Sequence, residues 1–134
     1  MPSDWNTKVI EEFRANSGTV ASFGGPLLLL HTTGAKTGRE HVTPVMYRQV
    51  DGGCAVFASA AGLPRNPAWY HNLVAHPDVQ AEIGSQTLRL RARVADDAER
   101  GPIWTAQKAQ FPGFQEYEDK TTRQIPVVIL EPAG

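Results

Sequence analysis

Apolar and polar positions along this chain fall into two rhythms, one of about 3.6 residues and one of two. Trp5, Val9, Ile10 and Phe13 share one side of a helix that Ser3 or Asp4 could cap and that extends to about Asn16. The other side mixes Lys8 and Arg14 with Glu11 and Glu12. That balance favours packing on the domain or on a partner subunit over binding a membrane surface. Gly18, Gly24 and Gly25 mark a linker. Strand signals follow over Pro26 to Thr33, His41 to Val50 and Cys54 to Ser59, with Asp51-Gly52-Gly53 as a hairpin turn.

After a loop from Ala60 to Arg65, Asn66 is expected to cap a helix with Pro67 at its first position. That helix carries Trp69, Tyr70, Leu73 and Val74 and ends near His76-Pro77. Asp78 to Ile83 and Thr87 to Val94 read as strands around a Gly84-Ser85 turn. In the second, Leu88, Leu90, Ala92 and Val94 alternate with Arg89, Arg91 and Arg93, so one face is wet. Asp96 to Gln110 reads as a helix with Ile103, Trp104 and Ala106 turned inward. Pro112-Gly113 breaks it, a short helical piece spans Phe114 to Lys120, and Ile125 to Leu130 is the last strand. Six strands joined more by short turns than by helices predict an α+β protein that is mainly β. The expected architecture is a small antiparallel barrel with peripheral helices, not a doubly wound parallel sheet.

Composition narrows the picture. The 134 residues fit one domain over residues 1–134, with 1–17 as its N-terminal helix. The formal net charge of −1 gives no whole-molecule attraction for nucleic acid, so any anion site must be a local concentration of charge. The lone cysteine, Cys54, lies in an apolar strand and is expected to be a buried thiol, which fits a reducing, cytoplasmic compartment. The N-terminus has no basic region ahead of an apolar stretch, so no signal peptide is expected. Pro26 to Leu30, the longest strongly apolar run, is too short to span a bilayer.

Candidate chemistry begins where that run ends. His31-Thr32-Thr33-Gly34-Ala35-Lys36-Thr37-Gly38-Arg39 places hydroxyls, backbone N–H groups and two cations on one turn. Such a turn suits a phosphate or carboxylate, with Lys36 and Arg39 as charged contacts beside Thr37 and Gly38. A solvated hairpin turn has a similar composition. It is not a P-loop, because the GxxxxGK[ST] order is missing and a strand follows. Ser59-Ala60-Ala61-Gly62, before the helix start at Asn66-Pro67, would let a flat ligand approach the backbone, or would simply connect strand to helix. Phe114, Tyr117, Lys120, Thr121 and Arg123 form a third group, in which Tyr117 could face a substrate or pack in the core. His71 and His76 are five apart, which is not the spacing of a helical metal pair, and no metal is expected. No GxSxG elbow or activated cysteine supports nucleophilic catalysis.

Taken in order, these segments resemble the deazaflavin-dependent nitroreductase family, a branch of the split β-barrel flavin-binding oxidoreductases. The resemblance rests on Leu28 to Arg39, Thr43-Pro44-Val45-Met46-Tyr47, Asn66 to Leu73, His76-Pro77-Asp78-Val79, and Tyr117 with Thr121 and Arg123 to Val128. It implies coenzyme F420, whose tail carries a phosphodiester and glutamate carboxylates, with FMN as the alternative cofactor. It further implies that Lys36 and Arg39 hold the tail, with Thr37 and Gly38 on the same turn. Thr43, Pro44, Val45 and Met46 would lie along the ring, and Ser59, Ala60 and Ala61 at its far side. Asn66, Pro67, Trp69 and Asn72 would shape the pocket. The implied reaction is hydride transfer to a quinone, nitroaromatic or enone-like acceptor, with Tyr117, Ser59 or water supplying a proton. The other readings of the same barrel are an FMN-dependent reductase and a protein that binds the deazaflavin, or another flat anion, without turnover. Related barrels are often dimers, and the apolar side of the first helix is the candidate contact for a homodimer.

Overall fold

A computed structural model describes residues 4–16, 18, 26–50, 52–59 and 62–133, with the backbone alone for residues 4–6. Ser3, Gly24-Gly25, Asp51 and Ala60-Ala61 lie outside the described residues, as do the side chains of Asp4 and Trp5. Six antiparallel strands close into a barrel: β1 (Leu27–Thr33), β2 (Glu40–Val50), β3 (Gly53–Phe57), β4 (Asp78–Ile83), β5 (Gln86–Val94) and β6 (Val127–Pro132). Their order around the barrel is β1-β2-β3-β6-β5-β4. The helices are α1 (Asp4–Ala15), α2 (Ala68–Ala75), α3 (Asp97–Gln110) and α4 (Gly113–Asp119). The expected barrel is therefore the observed one, with each strand within a few residues of its expected span.

Strand alternation explains the composition of each strand. On β1, Leu28 and Leu30 enter the barrel interior, where they meet Val56, Val79, Ala81 and Leu130. Leu27 and Leu29 point outward and are covered by Val9 and Phe13 of α1. On the outside of β3 and β6, Phe57, Val127 and Ile129 are covered by Trp104 of α3 and Phe114 of α4. Strands buried on both faces read as continuous apolar runs. On β5, Leu90 and Ala92 face in, whereas Arg89, Arg91 and Arg93 stay in solvent. Arg93 there forks onto Glu99 and Glu131.

Of the two partners expected for the apolar side of α1, its own chain is the one seen, with Val9 and Phe13 buried on β1. One expectation is corrected. The helix α2 starts one residue later than expected. Pro67 is its N-cap, in extended conformation, and no side chain caps it. The Asn66 amide oxygen is already taken by the Arg123 guanidinium at 2.7 Å. Val74 is 55% exposed, because Trp69 and Leu73 alone supply the buried face of this short helix.

Candidate functional site

The interior-facing row of β2 continues beyond the packed core. Tyr47 and Val45 pack against the core, while Thr43 and His41 open toward one end of the barrel. There α2 lies across the opening and buries Trp69 and Leu73 in the core. Between α2 and the β1–β2 turn is an open cavity of about 610 Å³. Gly34, Ala35, Lys36 and Thr37 form its turn side, and His41 and Thr43 its strand side. Ala68, Trp69, His71 and Asn72 form its helix side. The cationic turn and the helix that follows the small-residue loop thus meet at one cavity.

Asn72 holds the two halves together. Its Oδ1 accepts from the Ala35 N–H at 3.0 Å, and its Nδ2 donates to the buried Thr32 hydroxyl at 3.3 Å. The turn itself is closed by Gly34 N–H donating to the Arg39 carbonyl at 2.7 Å and Gly38 N–H donating to the Gly34 carbonyl at 2.9 Å. Gly38 adopts φ +71°, a conformation that costs other residues energy. A methyl on Gly34 would sit 2.5 Å from the Thr37 hydroxyl and 3.1 Å from His41 Nε2, so the turn is packed from within.

The remaining sequence candidates divide. Lys36, Thr37, Thr43, Trp69 and Asn72 line the cavity. Gly38 and Arg39 belong to the turn but not to the cavity wall. Val45 faces the core, whereas Met46 points to the outer face between α1 and the α3–α4 layer. Pro44 is buried within β2, so these neighbours do not present their side chains to one surface. Ser59, Asn66 and Pro67 precede α2 outside the cavity wall. Tyr117 packs edge-on against Phe114, with ring centroids 5.5 Å apart.

Arg123 organises that second region. Its guanidinium donates to the Ser59 carbonyl at 2.9 Å, the Leu63 carbonyl at 3.0 Å and Asn66 Oδ1 at 2.7 Å. All three acceptors are neutral, and burial pulls the guanidinium pKa below its ordinary value. Gly62, at φ +82°, lets the same loop approach α4: a methyl there would come within 2.9 Å of the Tyr117 carbonyl. The sequence presents Arg123 as a member of an aromatic and basic group and of the last stretch that carries the resemblance, with no sign of what it holds. The sequence marks neither His41 nor His71 as a site residue, since His71 is considered only with His76, at a spacing that does not suit a metal pair. Nothing local marks their meeting, since it depends on α2 crossing the end of the barrel. Among the described residues no group of three His, Cys, Asp or Glu could hold a metal ion. No described helix is long and apolar enough to cross a membrane. Cys54 is buried, and burial pushes its thiol up to about 11, which leaves it unreactive.

A family model described as F420H(2)-dependent quinone reductase matches residues 5–132. An F420H(2)-dependent quinone reductase of Mycobacterium tuberculosis is 37% identical over 108 residues, spanning 78% of this chain and 72% of that protein. The solved structure of an F420-H2 dependent reductase, FDR-A, is 37% identical with a TM-score of 0.72, covering 84% of this chain and 100% of its own. A second solved chain, described as a domain-swapped dimer, is 36% identical with a TM-score of 0.73 and covers 98% of this chain and 100% of its own.

Proposed function

Because the chain belongs to the F420H(2)-dependent quinone reductase family, we propose that it reduces small quinones with reduced coenzyme F420, and nitroaromatic or enone-like acceptors by the same chemistry. The cavity between the turn and α2 carries the reading. It presents the Lys36 ammonium, two imidazoles and the Thr37 and Thr43 hydroxyls, and among the described residues no carboxylate lines it. That donor set fits a tail made of a phosphodiester and glutamate carboxylates.

When bound, the reduced deazaflavin supplies the hydride. The chain's own residues position and solvate. Lys36 would neutralise the tail and Thr37 would donate a hydrogen bond to it, while Thr43 would lie toward the ring. Asn72 fixes the turn at its distance from α2, so these donors are in place before the ligand arrives. Trp69 provides an apolar wall. The reduced acceptor needs a proton as well as the hydride. The source of that proton is Tyr117, Ser59 or water, the first two belonging to the helix and the loop that approach each other at Gly62.

A fluorescence titration with oxidised coenzyme F420, run beside FMN, tests the cofactor. Anaerobic turnover of reduced coenzyme with a water-soluble naphthoquinone then tests the reaction. Saturable binding of the deazaflavin, no competition from FMN and one hydroquinone per oxidised coenzyme are expected. Preference for FMN would overturn the cofactor assignment. Binding without turnover would make the protein a carrier.

A further inference from the structure

The cavity holds two imidazoles that face the same space as Lys36. His41 enters from β2 and His71 from α2. Both are exposed, and among the described residues neither ring has a hydrogen-bond partner. His71 meets Tyr70 in a T-shaped contact, with ring centroids 5.6 Å apart. Among the described residues no carboxylate lines the cavity with them. The turn contributes Lys36, with Arg39 just outside the wall, and α2 contributes His71 itself. The nearest acid in sequence, Glu40, lies on the opposite face of β2. There its carboxylate sits 3.3 Å from His31 Nδ1, away from the cavity. On β1, the residue paired with His41 is the neutral Thr32.

We propose that His41 and His71 make binding of the anionic tail proton-linked, so that this chain takes the coenzyme more tightly as the pH falls from 8 to 6. The inference rests on the placement of the tail in this cavity. An imidazole ordinarily titrates between pH 5 and 8. A polyanion beside it favours the charged form, so the complex holds protons that the free protein has released. Binding then takes up at most one proton per histidine. Affinity rises as the pH falls through the histidine range and levels off once both rings are charged in the free protein. Each exposed ion pair of this kind should contribute about two- to five-fold in affinity.

The test is a set of binding titrations at pH 6, 7 and 8 with coenzyme F420 and with the same deazaflavin lacking its tail. The ratio of the two affinities cancels the titration of the chromophore itself. Calorimetry in buffers of different ionisation enthalpy counts the protons taken up. In the wild-type protein the ratio should rise about ten-fold between pH 8 and pH 6. It should be flat in the H41Q/H71Q double variant, and high and less pH-dependent in H41K, which keeps a charge at every pH. A ratio above one that does not change with pH but collapses in K36E would leave the tail in the cavity and overturn the histidine linkage. A ratio near one at every pH would overturn both, because the tail would then lie elsewhere.

Discussion

At the scale of single residues, two side chains do what no local sequence pattern announces. Asn72 accepts from the turn and donates to β1, and Arg123 gathers two carbonyls and an amide from the loop before α2. Their partners lie 37 to 64 residues away in sequence, so residue type alone could place them near a site but not say what they hold. Removing Arg123 leaves those three acceptors without their charged donor. R123A should therefore cost about 1–3 kcal/mol, read as a fall in Tm. A double-mutant cycle with N66A should show coupling, and strict additivity would mean that the 2.7 Å contact contributes nothing. At Asn72 the two obvious variants separate structure from charge. N72A loses both hydrogen bonds and should be less stable by about 1–2 kcal/mol. N72D keeps the acceptor for the Ala35 N–H but puts a carboxylate into a cavity wall that has none. It should melt closer to wild type than N72A yet bind the coenzyme more weakly. The reverse order in the binding titration would remove the tail from this cavity.

At the scale of elements, the strands were legible because their side chains alternate. The helices were legible from apolar spacing and breakers more than from caps: Pro112 does follow α3, whereas Asp96, read as its first residue, is its cap and accepts from the Glu99 N–H at 2.9 Å. What stayed hidden was how elements dock. The helix α1 is fastened to β4 by Arg14, whose guanidinium meets Glu82 at 2.7 and 3.1 Å, while His31 of β1 reaches the same carboxylate at 2.7 Å. Periodicity shows only that α1 has an apolar side; it does not show which strands receive it. The Arg14 hydrogen bonds, reinforced by His31, hold the Glu82 carboxyl below the ordinary carboxylate range. A lowered carboxylate pKa adds stability that is fully present above the unfolded-state value and is lost as the pH falls through the folded-state value. E82Q should thus melt below wild type at pH 7, and the two curves should converge below about pH 4. A constant gap from pH 7 to pH 3 would mean that the charge of Glu82 contributes nothing to docking α1.

At the scale of the whole molecule, closing the barrel requires pairings that connect distant parts of the chain. Cys54 lies opposite Leu130, and Leu30 opposite Ala81. A six-stranded antiparallel barrel could be read from turn lengths and alternation, but the neighbours of β3 and β1 across the closing seams could not. Their contact depends on curvature accumulated over every strand. Gly53 marks one seam physically. A methyl on it would lie 2.0 Å from the Leu130 carbonyl oxygen, so β6 could not keep its place beside a larger residue. Gly101 is the natural control. It sits inside α3, and beyond its chain neighbours nothing among the described residues lies within 4 Å of an added methyl. The same glycine-to-alanine change should therefore cost far more at Gly53 than at Gly101. G53A should lower stability by about 3 kcal/mol, the upper end of the usual cost of overpacking. G101A should change it by less than about 1 kcal/mol, because the helix propensity gained opposes the crowding of an alanine before Pro102. Thermal melts give the sizes, and amide exchange gives the location. In G53A, protection should fall first along β3 and β6 while α1 and β1 keep theirs. Uniform loss of protection, or two alanine variants of equal stability, would mean that the β3–β6 seam is not where this barrel is closed most tightly.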